Sequence, residues 1–213
     1  MRVRATIDRV IGRVLSTILL PVALVFVHAG ALLAQPATAR TVGPLMAAVT
    51  IELFSDFQCP ACKALHEQAI KRVKAEYARQ GRLRLVHHDF PLPQHTHARR
   101  AAMLAAAADR IGKYDAVADA LFAQQESWSN TGNLEAVVDS VLTPEERKQV
   151  YEAARDPAIA AAIERDVQLG SRMRVSSTPT MIVTHGGTSN PVVGVVSYPV
   201  FSRFLDSLLG SGQ

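Results

Sequence analysis

An α/β fold is the architecture that these 213 residues predict, and three observations carry the prediction. A strand–helix–strand unit opens the body of the chain, a long helical stretch follows, and a hairpin with a final helix closes it. In the first unit, Val49-Thr50-Ile51-Glu52-Leu53-Phe54 is a mostly apolar run that stops at the polar turn Ser55-Asp56, which is how a buried strand ends. From Pro60 to about Gln80, Leu65, Ala69, Ile70, Val73 and Tyr77 recur at helical spacing, with Gly81 as the stop and Pro60 in the first turn, where a missing N–H costs nothing. Residues 82–90 begin by alternating and read as a second strand closed by Pro91-Leu92-Pro93; a strand, a helix and a strand in succession imply parallel pairing.

From His95 to Met173 the pattern is helical, broken at Gly112, at Asn130 to Asn133, at Thr143 and at Asp156. Thr143-Pro144-Glu145-Glu146 has the form of a capping box, and Asp156-Pro157 is a second N-cap with proline behind it. The Ala run 105–108 reads as a tightly packed helix face. A strand is expected from about Thr180, a polar Gly-rich loop from His185 to Asn190, a returning strand over Pro191–Val196, and a helix from about Tyr198 to Leu209 with Phe201, Phe204, Leu205 and Leu208 on one side.

Residues 1–39 differ from the rest. Arg2, Arg4, Arg9 and Arg13 precede an uncharged run from Val14 to Ala34, followed by small-residue cleavage sites at Leu32-Leu33-Ala34 and Ala37-Thr38-Ala39. This is the layout of a secretory signal peptide, with an uncleaved membrane anchor over residues 14–34 as the alternative; either way the body of the chain is exported. Setting aside the leader's four arginines and its one acid, Asp8, leaves 19 basic against 18 acidic residues, so the formal charge of +4 falls to +1. A near-neutral body argues against nucleic acid as a partner, and the membrane is met only through the N-terminal segment.

Two cysteines in the whole chain, Cys59 and Cys62, do not make a disulfide framework, because a four-residue loop gains little from closure. They do suit disulfide exchange. A Cys-x-x-Cys that opens a helix supplies a thiolate stabilised by unsatisfied backbone N–H groups and a second thiol one turn in that resolves the mixed disulfide. Cys59 is the expected nucleophile, Cys62 the resolving thiol, Pro60 and Ala61 the supporting dipeptide; the chemistry calls for no cofactor and no metal. Lys63, Trp128, Met103, Arg99 and Arg100 read as packing or solvated helix residues. His66, His95 and His97 read as caps or surface groups, although a zinc site of two cysteines and two of these histidines can be drawn.

Phe54-Ser55-Asp56-Phe57-Gln58-Cys59-Pro60-Ala61-Cys62, then Asp89-Phe90-Pro91-Leu92 with His95 and His97, then Ser177-Thr178-Pro179-Thr180 before a strand, resembles the DsbA-like branch of the thioredoxin superfamily. The resemblance implies a thioredoxin-like fold split into residues 40–94 and 174–213, with an inserted helical domain at 95–173. It implies a thiol–disulfide oxidoreductase of the periplasm or another extracytoplasmic space, acting on exported proteins that carry thiols or disulfides and recycled by a membrane redox partner, its direction open. It further implies that Pro179 is cis and that Thr178 offers backbone groups to an extended substrate. Relatives often carry a buried acid six residues before the first cysteine, where this chain has Leu53. Strand alternation turns Glu52 to the other face, so the proton shuttle is absent, or a bulge brings Glu52 in, or a group such as His87 or His88 replaces it. The Pro60-Ala61 dipeptide lacks the histidine of strongly oxidising members, which implies a less acidic Cys59. The competing reading from another class is a redox-silent peptide-binding or zinc-stabilised module of the same fold.

Overall fold

The computed structural model describes residues 40–210. The leader and its two readings, cleavable peptide or anchor over 14–34, lie outside the described residues; among those described, no helix is long and apolar enough to cross a membrane. The described chain runs β1 (Thr41–Val42), β2 (Val49–Ser55), α1 (Pro60–Leu65), α2 (Lys71–Val73), β3 (Arg84–Asp89), α3 (Ala98–Asp109), α4 (Tyr114–Ala123), α5 (Gln125–Trp128), α6 (Leu134–Asp139), α7 (Pro144–Ala153), α8 (Pro157–Arg172), β4 (Thr180–His185), β5 (Thr188–Val193) and α9 (Tyr198–Gly210). Its five strands form one sheet in the order β1-β3-β2-β4-β5. β2 pairs parallel with β3 and antiparallel with β4, so the strand that leads to the cysteines is the central one. This is the thioredoxin-like arrangement with a helical insertion that the sequence predicts.

The strands form where the apolar pattern placed them, and their alternation builds layers. Val49, Ile51 and Leu53 of β2 pack with Leu65, Phe201 and Leu205 of α1 and α9, while Phe54 joins Phe90, Val175 and Ile182 in a smaller cluster. A third cluster fills the helical insertion around Leu104, Leu121, Phe122 and Trp128, and Cys59 and Cys62 belong to it. The cysteines therefore sit on the seam between sheet and insertion. Trp128 is fully buried, and its indole N–H donates to the Leu121 carbonyl at 2.8 Å. Thr143 and Glu146 form the capping box, and Asp156 caps α8 through the N–H of Ala158.

Three local expectations are corrected. The sequence of 40–47, with no strand alternation, predicts only a short linker, yet it contains β1, which pairs antiparallel with Leu85 and Val86. Gly43 permits this at φ +100°, where an added Cβ would lie 2.0 Å from the Leu83 carbonyl oxygen. The returning strand starts at Thr188 rather than Pro191 and ends at Val193, because the turn is only Gly186-Gly187, both at positive φ. Its polar residues look like a loop in sequence, yet an outer strand with an exposed face needs no apolar alternation. The helix after the cysteines continues to Ala78, as expected, but through two π-helical turns, His66–Ile70 and Lys74–Ala78, that periodicity does not disclose.

The alanine face of α3 yields a test of packing. Ala101, Ala105, Ala107 and Ala108 have no exposed surface, so the neighbouring helices leave no room there. Ala105→Leu is expected to cost about 1–3 kcal/mol in urea denaturation, whereas Arg99→Ala on the exposed side should stay within about 0.5 kcal/mol.

Candidate functional site

Cys59 is the N-cap of α1, with extended backbone (φ −81°, ψ 120°), and Pro60 is the first helical residue. Its carbonyl accepts from the N–H groups of Cys62 (3.0 Å) and Lys63 (3.1 Å), which fixes both cysteines on one turn. Both thiols are free; Cys59 is 7% exposed and Cys62 1%. The loop holding Thr178 and Pro179 lies against Cys59, whose thiol donates to the Thr178 carbonyl at 3.4 Å, and the Thr178–Pro179 peptide is cis.

The two sulfurs are pushed apart in acidity. The Cys59 thiol falls from 9.0 to about 5: the Cys62 thiol hydrogen-bonds to its sulfur, burial works against this, and the N–H groups of Cys62 and Ala61 add to it. Burial, and next the neighbouring Cys59 sulfur, hold the Cys62 thiol far above the ordinary range. At neutral pH the arrangement favours a thiolate on Cys59, against the Thr178 loop, and a protonated thiol on the more deeply buried Cys62.

Much of what holds the loop was not foreseen. Asp56, read only as part of a polar turn, has a fully buried carboxylate that accepts from the Gln58 N–H (2.7 Å), the Leu92 N–H (2.8 Å) and His95 Nδ1 (2.7 Å). Aspartate bonding to the N–H two residues on is a turn signature, so this residue was detectable. Gln125 was not: its amide donates to the carbonyls of Phe57 (2.7 Å) and Cys59 (3.1 Å) from inside the helical insertion, and nothing in helical spacing marks a buried glutamine. Gln58 bridges to the same insertion, donating to the Ser129 carbonyl at 2.8 Å and accepting from the His97 N–H at 2.8 Å.

The remaining candidates fall elsewhere. Lys63 donates to Glu67 (2.6 Å) and to the Phe122 carbonyl (3.0 Å). His66 turns to Asp119 at 2.7 Å and His95 to Asp56, away from the sulfurs' own hydrogen bonds; among the described residues no group of three or more His, Cys, Asp or Glu is placed to hold a metal ion. The register of β2 against β3 is unbroken from Thr50 to Ser55, so no bulge brings Glu52 inward. Glu52 lies 3.7 Å from His88, while Leu53 is packed in the core beside His87. Burial opposes protonation of His88, but its hydrogen bond to Asp166 and the neighbouring Glu52 carboxylate carry it up to about 9; burial lowers His87.

Comparison with known proteins follows the same lines. The Thioredoxin family profile matches residues 35–193. The "Probable disulfide bond formation protein D" of Bacillus cereus is 25% identical over 163 residues, which span 72% of this chain and 73% of that protein. DsbA2 of Pseudomonas aeruginosa superposes with a TM-score of 0.65 at 26% identity, covering 82% of this chain and 96% of that one. The alpha-DsbA1 structure of Wolbachia pipientis gives 0.66 at 22% identity, covering 84% and 94%.

The split in acidity predicts how the reduced protein reacts. Alkylation by iodoacetamide should modify Cys59 alone, with a rate that rises to a plateau through a midpoint at pH about 5, and Cys62 should react only after denaturant is added. Mass spectrometry of quenched samples across pH 4–9 reads both.

Proposed function

We propose that this chain, which belongs to the thioredoxin family as a DsbA-like thiol–disulfide oxidoreductase, exchanges disulfides with exported proteins through Cys59 as the attacking thiol and Cys62 as the resolving one. The observation that carries this reading is the pairing of a thiolate-stabilised Cys59 at a helix N-terminus with a fully enclosed Cys62 one turn on. Thr178 and Pro179 complete the site: the loop whose carbonyl meets the Cys59 thiol would offer its backbone to an extended client segment, with residues 95–173 as the inserted domain that walls the other side.

The direction we propose is oxidation of clients. A stabilised thiolate favours the reduced enzyme and so makes the disulfide form the stronger oxidant. An acidity of about 5 lies between the roughly 7 of thioredoxin and the roughly 3.5 of DsbA, in keeping with a supporting dipeptide that lacks histidine. The name of the Bacillus cereus relative points the same way. Export through the leader, a periplasmic or other extracytoplasmic location and reoxidation by a membrane partner complete the reading. The redox-silent and zinc-stabilised alternatives have in their way two free sulfurs of opposed acidity.

Two measurements test it. Cys62→Ser expressed with its leader should accumulate disulfide-linked client proteins on non-reducing gels, and Cys59→Ser should accumulate none; trapping through Cys62 instead would reverse the assignment. Equilibration with glutathione should place the couple above the roughly −270 mV of thioredoxin, and a potential below that value would identify a reductant.

A further inference from the structure

We propose that a cavity between α4 and the helix that follows the cysteines binds a small carboxylate with a ring-sized apolar body, at a site apart from the two sulfurs. Three elements build this cavity. In α4, Tyr114, Ala118 and Phe122 stand four residues apart and share one stripe, with Asp115 and Asp119 on the next. From the sheet, Leu53 is the register partner of His87, and Leu85 lies two residues before His87 on the same face. The helix after the cysteines contributes His66, Ile70 and Lys74, which stand at the ends of its two π-helical turns, and such turns are frequent at functional sites.

Size and lining set the body of the ligand. Ala118, the small residue in the middle of its stripe, leaves a hollow of about 220 Å³, and Leu53, Ile70, Leu85 and Phe122 give that hollow apolar walls. An apolar cavity of roughly 150 Å³ accepts benzene. The larger volume therefore holds a six-membered ring together with one small polar group, and a mostly apolar pocket with a few directed polar atoms is the usual form of a small-molecule site.

The polar atoms on the wall call for an acceptor with negative charge. Tyr114 is buried, and among the described residues its hydroxyl has no hydrogen-bond partner. Burial, and next the Asp89 carboxylate, hold that hydroxyl well above its ordinary acidity range, so it remains a donor. The Nε of Arg40, on the same wall, is likewise buried without a partner, while its Nη2 meets Asp89 and Asp166 behind the cavity. Lys71, Lys74 and Arg79 stand on the wall against Asp115 and Asp119. The oxygens of Asp115 take Lys74 and, at 2.6 Å, Arg79; those of Asp119 take His66 at 2.7 Å and Lys71 at 2.9 Å. Both acids are thus engaged on both oxygens, and three cations face two anions. A carboxylate supplies the missing charge at that wall and an oxygen for the Tyr114 hydroxyl, whereas an amine would meet donors only.

Equilibrium dialysis of the full-length protein against radiolabelled benzoate tests the site, and none of its readouts passes through the sulfurs. Binding should saturate with a single benzoate per chain. Tyr114→Phe, which keeps the ring and loses the hydroxyl, should weaken it about tenfold, the loss of one hydrogen bond to a charged group. Ala118→Leu should abolish it by filling the hollow; if that variant does not fold, Tyr114→Phe decides the matter. Unlabelled toluene, which offers the ring alone, and inorganic phosphate, which offers the charge alone, should leave the label in place. Binding that does not saturate, that toluene or phosphate displaces as readily as unlabelled benzoate does, or that is as tight in the folded variants as in the wild type overturns the proposal.

Discussion

The buried Asp56 carboxylate is the contact on which the site depends. Without solvent, a carboxylate is tolerable only when its lone pairs are filled, and here the fillers come from the cysteine loop, from the turn after β3 and from His95. One side chain thereby ties the start of α1 to the beginning of the helical insertion. Gln58 and Gln125 repeat the logic from the other side, each joining the cysteine loop to backbone of the insertion. The loop is consequently held by polar bonds with fixed directions, and the position of the Cys59 sulfur against Thr178 follows from them.

Apolar packing supplies the rest of the constraint. The central strand buries one side against α1 and α9 and carries Phe54 to the other, so the helix that begins at Pro60 has one seat available. The cysteines share a cluster with the insertion rather than with the sheet. That placement explains how sulfurs three residues apart differ so widely: one meets the open loop of Thr178, the other is enclosed by helices that belong to a different part of the chain.

The central strands, the helix of the cysteine pair, the capped helices of the insertion and the closing hairpin were legible because each rests on a local rule: apolar period, proline at a first turn, a capping box, a glycine pair. The pair Cys59 and Cys62 was legible for the same reason. β1 was not, since two residues carry no period and their pairing depends on Gly43 approaching Leu83. The first residues of β5 were hidden by their polarity, and the π turns by the tolerance of helical spacing for one extra residue. Gln125 was illegible in another sense, because its role arises from neighbours distant in sequence.

β5 carries a last consequence. Its residues Thr188 to Pro191 are exposed at the rim of the sheet, and Pro191 stands opposite Ile182. An outer strand normally offers a ladder of free amides on which a foreign chain can build, and proline removes a rung. On the function proposed above, with clients that meet the protein before their disulfides are formed, a second adhesive border would invite co-aggregation. The blunted rim would then leave the Thr178 loop, beside the Cys59 sulfur, as the place for lasting backbone contact with such clients.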